Sequence, residues 1–262
     1  MAILNVTPDS FSDGGVHFDR PKAVHAALQM EQEGAAVIDI GGESTRPGAE
    51  PVSAEEEMGR VVPVIEEIRR RSDVPLSIDT RKAAVCAAAL DAGADLLNDV
   101  TALRGDPAMA GLVARRGVPV ILMHMRGEPR TMQELTRYDD VVEDVLRELA
   151  GFRDRAVAAG IDPAQIAVDP GIGFAKTFEQ NLELLAACRR FAELGPVVIG
   201  ASRKAFIGHL TGRAAGPDRA IGSLAAVAAA FRGGAVMVRV HDVRATADFL
   251  QVTAAIAGKE RA

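Results

Sequence analysis

Eight short apolar runs punctuate the chain, at residues 2–6, 36–40, 76–78, 95–97, 118–123, 166–168, 197–199 and 235–240. Val and Ile dominate most of them, and none alternates strictly with polar residues as a half-exposed antiparallel strand does. Such runs predict parallel strands covered on both faces. Between them lie eight longer segments, 21–34, 54–71, 81–92, 107–116, 141–159, 178–194, 218–232 and 243–257, with apolar residues three or four apart. In 141–159, Val142, Val145, Leu146, Leu149 and Phe152 form one stripe, opposed by Glu143, Asp144, Arg147 and Glu148. Gly34, Gly93, Gly117 and Gly160 close four of these segments at the position where helices end. Eight strands alternating with eight helices predict an α/β chain folded as a (β/α)8 TIM barrel. The structural alternative, an open doubly wound sheet, calls for a glycine-rich turn after the first strand. Asn5-Val6-Thr7-Pro8-Asp9-Ser10 stands there instead.

The 262 residues suit a barrel of roughly 250, and no Pro, Ser or Gly linker divides them, so one domain over residues 1–262 is expected. The net charge is −6, from 30 basic and 36 acidic residues, which argues against a general nucleic-acid binder. Any anionic ligand must therefore meet a local concentration of positive charge. Cys86 and Cys188 lie in Ala/Leu-rich segments without metal-ligand spacing and read as buried, reduced thiols. The longest uninterrupted apolar stretch, residues 224–231, is far short of a membrane span, and no signal peptide opens the chain. A cytoplasmic protein without membrane or nucleic-acid partners is expected.

Polar residues stand where the apolar runs stop: Asn5, Asp39, Asp79, Asn98, His124, Asp169, Ser202 and Arg239. Taken singly, each reads as a turn former or helix cap. A barrel, however, aims the ends of all its strands at one rim, where the long connections 7–20 and 41–53 also gather. Asp79, Asn98 and Asp169 offer carboxylate and amide groups suited to a flat heterocycle rich in N–H donors. Ser202-Arg203-Lys204 follows the seventh run and Arg239-Val240-His241 ends the eighth, where barrels commonly bind phosphate. Together they predict an anion site. Residues 171–177 echo a phosphate-binding loop, but Pro170 and Ala175 occupy positions that require Gly. His124 has no second His or Cys at metal-ligand spacing and reads as structural. No G-x-S-x-G or H-E-x-x-H occurs, which disfavours a serine esterase or a zinc hydrolase.

Several longer motifs now align with one family. Residues 3–15, Ile-Leu-Asn-Val-Thr-Pro-Asp-Ser-Phe-Ser-Asp-Gly-Gly, and residues 39–48, Asp-Ile-Gly-Gly-Glu-Ser-Thr-Arg-Pro-Gly, resemble the two N-terminal signatures of the dihydropteroate synthases. Ser77-Ile78-Asp79-Thr80, Asn98-Asp99-Val100, Met123-His124-Met125, Asp169-Pro170-Gly171-Ile172-Gly173-Phe174, Gly200-Ala201-Ser202-Arg203-Lys204 and Arg239-Val240-His241-Asp242 complete the set in order. The resemblance implies a folate-pathway transferase that joins p-aminobenzoate to 6-hydroxymethyl-7,8-dihydropterin diphosphate, releasing pyrophosphate. It places the pterin against Asp79, Asn98, Asp169 and Lys204, and the diphosphate against Arg239 and His241 with Thr45 nearby. Asp79, Asp169, Lys204, Arg239 and His241 form the implied catalytic set. Asn5 would coordinate Mg²⁺, the implied cofactor. Phe11, Thr45, Arg46, Pro47, Ser202 and Lys204 would line the p-aminobenzoate pocket, where sulfonamides compete.

The family is usually dimeric, so a homodimer is implied. Its members usually carry a stretch ahead of the first signature, while Met1 here stands where the first strand starts, which implies a natural start upstream. Ala175 takes a place where the family commonly has Gly, and its small size predicts little effect. Two other readings compete. A methyltransferase of the same superfamily shares the Asp and Asn residues but has no use for the STRP loop or the diphosphate cations. A non-catalytic pterin-binding homologue would be expected to lose Asn5 or the loop signatures.

Overall fold

The computed structural model describes residues 1–7, 19–45 and 48–260. Strands β1 (Ala2–Asn5), β2 (Ile38–Gly41), β3 (Leu76–Asp79), β4 (Leu96–Asp99), β5 (Val120–Met123) and β6 (Ile166–Asp169) form a continuous parallel sheet in chain order. β7 (Val198–Ile199) and β8 (Met237–Val238) form a second parallel pair. Parallel bridges from Val168 to Val197 and from Ala2 to Val240 join the two pieces and close the barrel. The Ile3 amide donating to the Val240 carbonyl at 3.0 Å, and Val240 to Met1 at 3.0 Å, complete that seam.

Strand residues alternate between two environments, as a period of two requires. Leu4, Ile38, Ile40, Ile78, Leu97, Leu122, Val168 and Ile199 point outward into the main core shared with the helices. The inward set begins at one end with an apolar plug of Met1, Val37, Ile121 and Val198, against which Leu96, Ala167 and Met237 pack. Two residues further along, the inward set turns polar at Asp39, Asn98, Asp169 and Arg239, and Asp79 pairs with Asn98 in the same layer, while Ile3, Met123 and Gly200 stand at the matching positions of β1, β5 and β7. The barrel is thus sealed by hydrocarbon at one end and lined by charge at the other. Truncating an outward residue such as Leu122, which is fully buried, to Ala would cost about 2–5 kcal/mol.

The helices are α1 (Arg20–Gln32), α2 (Ala54–Arg69), α3 (Ala83–Asp91), α4 (Met109–Arg116), α5 (Val141–Ala158), α6 (Phe178–Ala186), α7 (Ala205–Thr211), α8 (Ala220–Arg232) and α9 (Val243–Glu260). Their starts are chemically marked. Asp140 caps α5 by accepting from the Val142 and Glu143 amides, and Thr177 and Gln180 form a reciprocal capping box on α6. Two helix expectations need correcting. The segment from 178 breaks at Ala186 and continues as a 3₁₀ turn, Cys188–Glu193, and α7 was not foreseen, its seven residues being too few to display a periodic stripe. Both cysteines are buried thiols. Among the described residues, no helix is long and apolar enough to cross a membrane.

Candidate active site

The charged end of the barrel is organised around one guanidinium. Arg239, carried past the end of β8, donates through Nε to Asp39 Oδ2 at 2.5 Å and through Nη2 to Asp79 Oδ2 at 2.6 Å. Asn98 Nδ2 donates to the same Asp39 oxygen at 3.0 Å, while Asp39 Oδ1 is buried without a hydrogen-bond partner. Burial works against the charge of Arg239, but Asp39 and Asp79 outweigh it and hold the guanidinium above its ordinary value. Burial pushes the Asp79 carboxyl up to about 7 despite Arg239, with Asp39, Glu57 and Asp99 adding to the effect.

Asp169 ends β6 and accepts from the Gly171 amide at 2.7 Å. Burial raises it to about 6, opposed by that amide and by Lys204, Arg239 and Lys176. Gly171 has φ +72°, and a Cβ there would lie 1.9 Å from the His124 carbonyl oxygen, so only glycine fits. Lys204 stands 4.1 Å over the Phe174 ring, a cation–π contact, and burial with Arg239 lowers its ammonium to about 8. Asn98, Asp169, Lys204 and Arg239 line one solvent-open pocket with Thr45, Val100, Met123, Ile172 and Phe174, enclosing about 330 Å³ of space with its open mouth included. Apolar walls with a few convergent polar groups are the usual makeup of a small-molecule site.

Beside the cavity, Ser202 Oγ accepts from the His241 amide at 3.2 Å and lies 3.0 Å from His241 Nδ1. With the hydroxyl proton directed to Nδ1, the ring proton sits on Nε2; the opposite tautomer has Nδ1 donate to the same oxygen. Burial, reinforced by Arg203, Arg239 and Lys204, lowers His241 to about 4, so the unliganded imidazole is neutral. Between Ser202 and Lys204, Arg203 adopts φ +58° and is pinned away by Ser223 and by Asp242, which its Nη2 meets at 2.5 Å. A left-handed arginine costs about 1–2 kcal/mol, offset here by that ion pair.

Most of the expected site residues with described positions gather at this end of the barrel, and one residue of the expected rim does not. Because Met123 faces inward, the next residue must face outward, and His124 lies fully buried with Nε2 3.0 Å from Glu148 of α5. That agrees with its structural reading and removes it from the rim. Phe11, Arg46 and Pro47 lie outside the described residues. Asn5 ends β1 opposite Gly41, and no group of three or more His, Cys, Asp or Glu side chains among the described residues could hold a metal. A lone amide oxygen fits an ion that brings most of its own ligands, as Mg²⁺ does with water and phosphate oxygens.

Some participants escaped the sequence reading. Phe174, Ile172 and Met123 wall the cavity, and the parity of each strand could have found Met123. Glu43 brackets the connection after β2, accepting from Val52 N at 3.0 Å and pairing with Arg81 and Lys82. Ala175 also departs from expectation, because its φ is +51°. The familial glycine there answers to backbone conformation rather than to size, so Ala carries a strain that a size argument does not register.

Residues 1–241 match the sequence profile of the pterin-binding enzymes. A dihydropteroate synthase of Synechocystis is 47% identical over 257 residues, covering 98% of this chain and 89% of that protein. The dihydropteroate synthase of Xanthomonas albilineans with 4-aminobenzoic acid superposes with a TM-score of 0.92 at 49% identity, covering 98% of this chain and 92% of the other. The same enzyme in complex with 7,8-dihydropteroate gives 0.88 at 46% identity, over 98% and 92%. The chain belongs to the pterin-binding enzymes and, within them, to the dihydropteroate synthases, transferases of folate biosynthesis.

Proposed function

We propose that the chain condenses 6-hydroxymethyl-7,8-dihydropterin diphosphate with p-aminobenzoate to give 7,8-dihydropteroate and pyrophosphate, by departure of the diphosphate before attack of the amine. The observation that supports this reading best is the juxtaposition, lining one solvent-open pocket, of Asn98 and Asp169 with Lys204 and Arg239. The first two, with Asp79 close by, suit the N–H edge of an amino-pyrimidine; the cations suit an anionic leaving group.

Asp79, Asn98 and Asp169 bind and orient the pterin. Asp39 and Asp79 occupy Arg239 Nε and Nη2, which leaves Nη1 to reach a diphosphate oxygen. His241 Nε2–H donates to the same group, and the arriving negative charge favours its protonation. Growth of negative charge on the departing diphosphate is met by these donors. Positive charge on the pterin methylene spreads into the ring, where Asp79 and Asp169 face it. The arylamine attacks as the neutral amine, so no strong base is required. Asn5 would hold Mg²⁺, which would supply charge neutralisation at the leaving group.

Thr45, with Phe11, Arg46, Pro47, Ser202 and Lys204, forms the p-aminobenzoate side, and sulfonamides compete there. The functional unit is a homodimer. Leu210, Ile221, Val252 and Ile256, on the successive helices α7, α8 and α9, are 58–84% exposed and offer apolar surface for a second copy.

Positional isotope exchange tests the chemistry. Diphosphate substrate carrying ¹⁸O in the C–O–P bridge should scramble its label into the non-bridging oxygens when p-aminobenzoate is withheld. With p-aminobenzoate withheld and the substrate shown to be bound, retention of the label in the bridge would overturn the dissociative step.

A further inference from the structure

Lys176 is a lysine where hydrocarbon would be expected, only 3% exposed behind the cavity wall. Its ammonium donates to the Phe174 carbonyl at 2.9 Å and to His124 Nδ1 at 3.0 Å. On the far side of the imidazole, Nε2 faces Glu148 Oε2 at 3.0 Å, and Arg126 Nε holds Glu148 Oε1 at 3.1 Å. One assignment of protons satisfies the whole chain. Burial lowers the Lys176 ammonium to about 7, and while charged it can only donate, so Nδ1 accepts, Nε2 carries the proton and donates to the carboxylate. A protonated His124 would set two cations face to face. Burial and the Lys176 charge accordingly lower its pKa to about 4.

The arrangement bears on the cavity through the connection that wraps the ammonium. A Cβ on Gly171 would come within 3.5 Å of Lys176 Nζ, so the backbone closes directly onto it. That connection starts at Asp169, and its Ile172 and Phe174 line the cavity, where Phe174 supports Lys204. We propose that Lys176 is a positioning residue of the pterin site: seated between His124 and the Phe174 carbonyl, its ammonium fixes the connection that runs from Asp169 to the Phe174 wall. The inference rests on the reading of Asp169 as a ring contact.

The charges around the two groups set the direction of the effect. Asp169 is faced by Lys176 from its own connection, Lys204 after β7, Arg239 at β8 and Cys188 behind β6, with Asp79 facing Lys204 in turn. Lys176 is faced by Asp169 and by Glu148 of α5, both favouring its charge, and by Arg126 and Lys204, which oppose it. Tyr138 and Arg104 stand beside that Arg126–Glu148 pair. Losing the Lys176 charge therefore moves Asp169 upward from about 6.

Calorimetric titration with 6-hydroxymethyl-7,8-dihydropterin from pH 5 to 8 tests the assignment on the full chain. Lys176→Met should weaken binding tenfold or more at pH 7 and shift its acid limb to higher pH. Glu148→Gln touches no cavity atom and still accepts from His124, yet no longer favours the ammonium. It should move the acid limb the same way by a smaller amount. A purely structural role would lower the active fraction and leave the limb in place. Unchanged affinity and an unmoved limb in both variants overturn the proposal. If Lys176→Met fails to fold, an unmoved limb in Glu148→Gln alone overturns it. Failure of the unsubstituted protein to bind the pterin would instead sink the pterin-site reading itself, and this inference with it.

Discussion

Asp79→Asn should leave the fold intact or strengthen it while impairing the site. Burial holds the Asp79 carboxyl near 7 against an ordinary 3.8, which costs on the order of 4 kcal/mol of folding stability at neutral pH. The folded-state value lies above the unfolded one, so this penalty is absent below about pH 4, grows as pH rises and is complete above about 7. Asn removes it. Set against that gain is the charge-assisted bond from Arg239 Nη2 at 2.6 Å, worth about 1.5–3 kcal/mol, while Asp39 still holds the guanidinium. The net is about 1–2.5 kcal/mol stabilising, or up to about 10 °C in Tm at this chain length. For the ligand the balance reverses. An amide cannot accept two N–H groups from an amino-pyrimidine edge, and losing a charged acceptor at about 1.5–3 kcal/mol weakens binding about 10- to 150-fold. Thermal unfolding at pH 5 and 7, with calorimetric titration of 6-hydroxymethylpterin, reads both quantities. The stability difference between variant and unsubstituted protein should shrink as pH falls from 7 to 5, because the penalty at Asp79 fades over that range. A Tm lowered by more than about 5 °C at pH 7, or affinity within twofold of the original, would refute the reasoning.

Arg239→Ala strips both Asp39 and Asp79 of their buried counter-charge and should cost about 3–5 kcal/mol. It should also hurt binding of the diphosphate substrate far more than that of the bare hydroxymethyl pterin; equal losses in calorimetry would contradict its anion-binding role. Ala175→Val forces a β-branched residue into φ +51° and should destabilise by more than 2 kcal/mol in urea unfolding, whereas Ala175→Gly should stay within about 1 kcal/mol of the original. Burial raises the thiols of Cys86 and Cys188 to about 12 and 11, so neither should react with Ellman's reagent at pH 8 until the protein unfolds. Ile221→Glu, at a position 84% exposed on α8, should convert a dimer to a monomer in light scattering.

The barrel was legible because each strand carries a continuous apolar run, and the run reports burial on both faces. The inward charged layer was legible only in part. Asp79, Asn98 and Asp169 announce themselves at strand ends, but the clasp of Arg239 on Asp39 spans 200 residues of sequence and exists only because β8 closes against β1. His124 follows a strand end as the rim residues do, but strand parity from the inward Met123 turns it outward, toward Glu148. Helix α7 is too short for its pattern to register. At Ala175 side-chain volume was weighed where backbone handedness decides. Lys176 sits in the Gly-rich stretch after β6, and nothing local to 171–177 distinguishes a buried ammonium from a solvated one. Its partners come from β5 and α5.

The central claim, that this barrel joins a dihydropterin to an arylamine, is tested by product formation. Protein, 6-hydroxymethyl-7,8-dihydropterin diphosphate, p-aminobenzoate and Mg²⁺ are mixed, and 7,8-dihydropteroate and pyrophosphate are quantified together. The account predicts the two products in equal amounts, with pyrophosphate otherwise limited to slow solvolysis. Folded protein that forms no 7,8-dihydropteroate at any magnesium concentration would contradict it.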